Sequence, residues 1–83
     1  MKRRKLLRGI LAGSKSVRFD DMVNLVEGFG FRLSRTRGSH HIFTRHDIPE
    51  LINLQKVKGQ AKPYQIRQFL KLVERYSLTL EDE

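Results

Sequence analysis

Gly38-Ser39-His40-His41-Ile42-Phe43 reads as a tight turn feeding an alternating strand, and the architecture follows from it. Glycine in the first central position suits a type II′ hairpin. The residues before it, Phe31 to Arg37, and those after it, His40 to Arg45, are therefore expected to pair antiparallel. Successive strand side chains point to opposite faces, so His40 and His41 cannot both enter the core. Cations crowd the stretch: Arg32, Arg35 and Arg37 precede it, and Arg45, Lys56, Lys58 and Lys62 follow. A histidine among cations is a candidate proton shuttle beside a bound phosphate.

Working outward, Phe31 and Leu33 share one face of the first strand, with Arg32, Ser34 and Thr36 on the other. His46-Asp47-Ile48-Pro49 breaks the second strand, and Leu51 to Gln55 forms a short third one. Lys56 to Lys62 reads as a basic loop, flexible at Gly59, after which Pro63 opens a helix to Tyr76 with Ile66, Phe69, Leu70 and Val73 on one side. Upstream, Phe19, Met22, Val23 and Val26 define the buried face of a helix ending near Glu27, with Asp20 and Asp21 in its first turn and Gly28 placed to stop it in a left-handed conformation. Leu6, Leu7, Ile10 and Leu11 gather on a shorter helix before it, ended by Gly13-Ser14. Lys2-Arg3-Arg4-Lys5 reads as a solvated start or a nucleic-acid arm, and Lys15 to Arg18 as a linker.

The expected architecture is α+β: a three-stranded antiparallel sheet with helices packed on one face and an extra N-terminal helix. The chain divides into a basic N-terminal extension (1–18), an α-β-β-β-α domain (19–80) and an acidic tail (81–83). The uncovered sheet face, the Gly38-Ser39 turn and the Lys56 to Lys62 segment are offered to polyanions.

Eighty-three residues make one small domain. Seventeen Lys and Arg against nine Asp and Glu leave a net charge of +8, a field that favours nucleic acid. The absence of cysteine removes disulfides and thiolate metal sites and suits a reducing cytoplasm. No apolar run is long enough to span a membrane and no leader pattern is visible, so a soluble, cytoplasmic protein without a membrane partner is expected. Adjacent strand histidines diverge, so with His46 and Asp47 they make no convergent ligand set, and no metal, cofactor or small-molecule ligand is expected. Ser39 beside a histidine lacks an acid to orient the ring and is not read as a nucleophile.

Leu25-Val26-Glu27-Gly28-Phe29-Gly30-Phe31, then Arg37-Gly38-Ser39-His40-His41-Ile42-Phe43, then a basic glycine-containing loop and an amphipathic helix, resemble the HicA family of toxins over roughly residues 19–76. The resemblance implies a double-stranded-RNA-binding-domain-like fold and a metal-independent ribonuclease that degrades mRNA and is neutralised by a HicB-like antitoxin. The family's catalytic histidine lies in the Gly-Ser-His element, which assigns it to His40, with His41 as the alternate. Arg35, Arg37, Ser39, Arg45, Lys56, Lys58 and Lys62 are then candidate RNA-binding residues. The rival reading is a non-catalytic RNA-binding module using the same basic surface. A third is a homologue that has lost activity and persists as an interaction protein.

Overall fold

A computed structural model describes residues 2–81 and contains α1 (Arg3–Leu11), α2 (Phe19–Gly28), β1 (Arg32–Arg37), β2 (His40–Arg45), β3 (Ile48–Val57), β4 (Gln60–Ala61) and α3 (Pro63–Arg75). Asp82 and Glu83 of the expected acidic tail lie outside the described residues. The α+β class and the double-stranded-RNA-binding-domain-like arrangement hold, with an antiparallel sheet ordered β1-β2-β3-β4.

The sheet has one strand more than the three expected, because Lys56 to Lys62 is a hairpin rather than a loop. Lys58 and Gly59 both adopt positive φ, 52° and 78°, as a type I′ turn requires. They return the chain so that Gln60 and Ala61 pair with Val57 and Lys56. Asparagine or aspartate before the glycine would have signalled this turn; lysine does not. The third strand also begins earlier than expected, at Ile48. Pro49 is tolerated there because the two-residue β4 leaves the first half of β3 without a neighbour on that edge. The Lys15 to Arg18 linker is likewise stitched in: the Val17 carbonyl accepts the Ala61 N–H at 3.0 Å, and Arg18 bridges to Gln60.

The short β4 has a second consequence at Gln55, whose N–H lies just past the paired residues. Gln65, 2% exposed in the first turns of α3, accepts that N–H through its Oε1 at 2.6 Å. A buried amide thus completes the sheet edge where the strand runs out.

All three helices end in the same way. The N–H of Gly30 bonds to Glu27 O and that of Phe31 to Val26 O; Gly13 and Ser14 repeat the pattern on Ile10 and Gly9, and Ser77 and Leu78 on Glu74 and Val73. These are Schellman motifs, each with its pivot residue at positive φ: Gly30 at 91°, Gly13 at 105° and Ser77 at 50°. The left-handed stop of α2 is therefore Gly30, not Gly28. Gly28 is the last helical residue, and its missing side chain has another use: a Cβ there would lie 2.7 Å from Arg3 Cδ and 2.8 Å from Leu80 Cδ1. The returning C-terminal segment and α1 both close on this glycine, and Glu81 N–H bonds to its carbonyl at 2.8 Å.

The core lies between the sheet and the helices, with Phe29, Phe31, Phe43, Phe69, Met22, Leu25, Val26 and Leu54 fully buried. Phe69 of α3 meets Phe29 and Phe31 edge-on, at centroid distances of 5.3 and 6.3 Å. α1 adds Leu6 and Ile10 to this core and packs on α2. Its basic start is helical from Arg3, whose Nε donates to Asn24 O and Oδ1 at 3.0 and 3.1 Å, while Lys2, Arg4 and Lys5 stay exposed.

Candidate nucleic-acid interface

Two strand irregularities determine which side chains share a face with His40. Cross-strand partners project to the same side of a sheet. From Arg37↔His40 through Thr36↔His41 and Arg35↔Ile42 the β1/β2 pairing is regular, but it then slips to Leu33↔Phe43, leaving Ser34 as an extra residue. A single-residue bulge inverts the alternation. Without it, Arg35 and Arg37 would fall on the side of Leu33, toward the helices. With it, they stand on the uncovered face beside His40. The β2/β3 pairing also slips, from Arg45↔Ile48 to Phe43↔Ile52, but by two residues, so its faces are preserved.

The uncovered face therefore carries one row Arg37, His40, Gln55 and a second row Arg35, Ile42, Asn53. Asn53 is the diagonal neighbour of His40, and its Oδ1 accepts a hydrogen bond from His40 Nδ1 at 3.2 Å. In a neutral ring, donation from Nδ1 to an amide oxygen, which can only accept, puts the lone pair on Nε2. The turn beside the row is held by Gln55, whose Nε2 donates to Ser39 Oγ at 3.3 Å, and by Lys56 N–H, which donates to Ser39 O at 3.0 Å. Gly38 has φ 56° while Ser39 stays outside the positive region, as a type II′ turn requires.

His41 projects to the other side. Its ring lies 4.7 Å from that of Phe19 at the start of α2, and its Nδ1 donates to Ser39 O at 3.3 Å. Lys56 Nζ stands 5.9 Å over the same Phe19 ring. Both histidines are half-buried, and neither is sealed from water.

The basic residues singled out from the sequence thus separate. Arg35 and Arg37 accompany His40, with Ser39 in the adjoining turn. Lys56 accompanies His41, Lys58 sits at the tip of the β3/β4 turn, and Lys62 at the start of α3 lies 6.0 Å over the Tyr64 ring. Arg45 belongs to neither group: it ends β2, about 16 Å along the strand from His40 at roughly 3.3 Å per residue. Its guanidinium donates to Phe29 O at 2.8 Å and pairs with Asp47 at 2.8 Å. Among the described residues no three His, Asp or Glu side chains converge as metal ligands, and no helix is long and apolar enough to cross a membrane.

Sequence reasoning did not single out Asn53, Gln55 or Phe19 for the site. Asn53 and Gln55 alternate with apolar residues as any open-face strand residues do, and Phe19 satisfies the helix periodicity. Strand register brings Asn53 and Gln55 beside His40, and the packing of α2 against the sheet brings Phe19 to His41. Comparison with curated proteins and with solved structures returns no match. The family model described as the HicA toxin of bacterial toxin-antitoxin matches residues 19–74. That span begins at Phe19, contains the Gly-Ser-His-His turn with both histidine environments, and ends within α3. With about two thirds of its length inside the match, the chain belongs to the HicA family of bacterial toxins from toxin–antitoxin modules.

Proposed function

We propose that this toxin is a metal-independent endoribonuclease that degrades mRNA in the cytoplasm and is neutralised by a HicB-like antitoxin. The observation that carries the reading is His40, hydrogen-bonded through Nδ1 to Asn53 on the sheet face that also bears Arg35 and Arg37. RNA supplies its own nucleophile. His40 Nε2 takes the proton of a ribose 2′-hydroxyl as that oxygen attacks the adjacent phosphorus; the P–O5′ bond breaks, and the ring returns the proton to the departing 5′-oxygen. The products are a 2′,3′-cyclic phosphate and a free 5′-hydroxyl. Arg37, directly across the strand pair, and Arg35 beyond it stabilise the charge that develops on the phosphate. An antitoxin that inhibits by occlusion would present carboxylates to this same cationic face.

The test is purified protein and His40→Ala incubated with end-labelled RNA in excess EDTA. The parent is expected to cleave and the variant to be slower by about 10²- to 10⁴-fold, with unchanged circular dichroism. His41→Ala run in parallel assigns the chemistry between neighbours. Equal cleavage by parent and His40→Ala would remove His40 from the mechanism, and intact RNA with every sample would leave the same face as that of an RNA-binding module.

A further inference from the structure

The family match begins at Phe19, so α1 lies outside it. α1 carries two apolar stripes: Leu6 and Ile10 turn into the core, while Leu7 is half-buried and Leu11 is 65% exposed. Two concavities meet at Leu7. One, of about 600 Å³, is lined by Leu7, Leu80, Arg4 and Arg8. The other, of about 290 Å³, is lined by Leu7, Leu11, Leu70, Val73, Lys71 and Glu74. Together they make a groove along α1, bounded by α3 on one flank and by the returning C-terminal segment on the other.

The floor of this groove is leucine and valine, and its rim carries the cations Arg8 on one side and Lys71, beside Glu74, on the other. We propose that it docks an acidic amphipathic helix of a partner protein, with the apolar stripe on Leu7, Leu11, Leu70 and Val73 and the carboxylates toward Arg8 and Lys71. Charge complementarity selects this occupant. A second copy of this chain would bring its own net charge of +8 to the same rim. Nucleic acid would satisfy the cations but leave the leucines in water. The nine residues of α1 span about 13 Å, room for two to three turns of an opposing helix.

The groove is formed by α1, α3 and the C-terminal segment, on the helical side of the sheet, whereas His40 stands on the uncovered side. A partner seated in it leaves the histidine face open, so this site is separate from the ribonuclease reading and does not depend on it.

The experiment uses the full chain and a fluorescein-labelled helical peptide with leucines at i, i+3, i+4 and i+7 flanked by glutamates. A scrambled peptide of the same composition and a version with lysine for glutamate serve as comparisons, and binding is read by fluorescence anisotropy. The acidic amphipathic peptide is expected to bind saturably, more tightly than either comparison, and more weakly as salt rises. Leu11→Asp, at an exposed position, is expected to weaken binding about tenfold, and Lys71→Glu to weaken it independently, both with unaltered melting curves. Equal binding of the scrambled peptide, or indifference to both substitutions, overturns the proposal. So do binding only to phosphatidylglycerol vesicles, or self-association in sedimentation abolished by Leu11→Asp, which reassign the groove to a membrane or to a second copy.

Discussion

Asn53→Ala separates a residue that orients the catalytic ring from one that does chemistry. Asn53 is exposed, and its Oδ1 accepts the 3.2 Å hydrogen bond from His40 Nδ1. Removing it leaves His40 and the arginines in place but frees the ring to flip about its terminal torsion and to exchange tautomers. A single hydrogen bond of this kind contributes about 0.5–1.5 kcal/mol, so the productive ring state and with it kcat are expected to fall roughly 2- to 13-fold. That loss is far smaller than the loss expected for His40→Ala. KM is expected to hold, because the phosphate is bound by Arg35 and Arg37 and not by Asn53. The same loss of about 0.5–1.5 kcal/mol lowers the melting temperature by roughly 2–12 °C and leaves the variant folded at assay temperature. The assay is cleavage of a quenched fluorescent RNA in EDTA over a range of substrate concentrations, paired with a thermal melt followed by circular dichroism. A variant as inactive as His40→Ala would make Asn53 a participant in the chemistry, and a fully active one would show that the hydrogen bond does not hold the ring. Either result refutes the positioning argument.

Gln65→Leu strips the acceptor from the Gln55 N–H at the end of β4, and an unpaired donor there is expected to cost about 1–3 kcal/mol. In a domain of this size that lowers Tm by at least about 4 °C, measured by calorimetry. A second cluster ties the C-terminal end of α3 to β3: Glu50 accepts Tyr76 Oη–H at 2.6 Å and pairs with Arg75 at 2.7 Å. The Tyr76 hydrogen bond, with help from Arg75, holds the Glu50 carboxyl below its ordinary value of 4.5, and Glu50 in turn holds the Tyr76 hydroxyl above 10.0. The stability gained through Glu50 is thus fully present above its unfolded value and lost as pH falls through the lowered folded one; the Tyr76 share is present below its unfolded value and lost as pH rises through the raised folded one. Melting temperatures of the parent and Glu50→Gln should therefore differ most near neutral pH and converge in acid, and a difference that persists unchanged into acid would refute the linkage.

The helical and hairpin signals were local, and they survived folding because each was enforced within a few residues. The i, i+3, i+4 stripes of α2 and α3, the type II′ turn at Gly38-Ser39 and the divergence of two adjacent histidines all follow from backbone geometry alone. The Lys58-Gly59 turn follows from local geometry too, yet lysine at its first position gave no warning of it. The helix stop at Gly30 is not legible locally for a different reason: Gly28 is an equally good candidate, and its actual role comes from Arg3 and Leu80 arriving from the two ends of the chain.

The functional face depended on counting residues between strands, which periodicity does not do. Alternation by itself assigns Arg35 and Arg37 to the helical side, and one unpaired serine reverses that assignment across the sheet. The Asn53 contact and the separation of Lys56 from His40 depend in the same way on register, a relation between segments distant in sequence. Composition and local pattern determined that this is a small basic α+β chain with two histidines on opposite faces of a strand. Tertiary pairing decided which cations and which amide each histidine meets, because side-chain neighbours across a sheet are set by long-range hydrogen bonding rather than by adjacency along the chain.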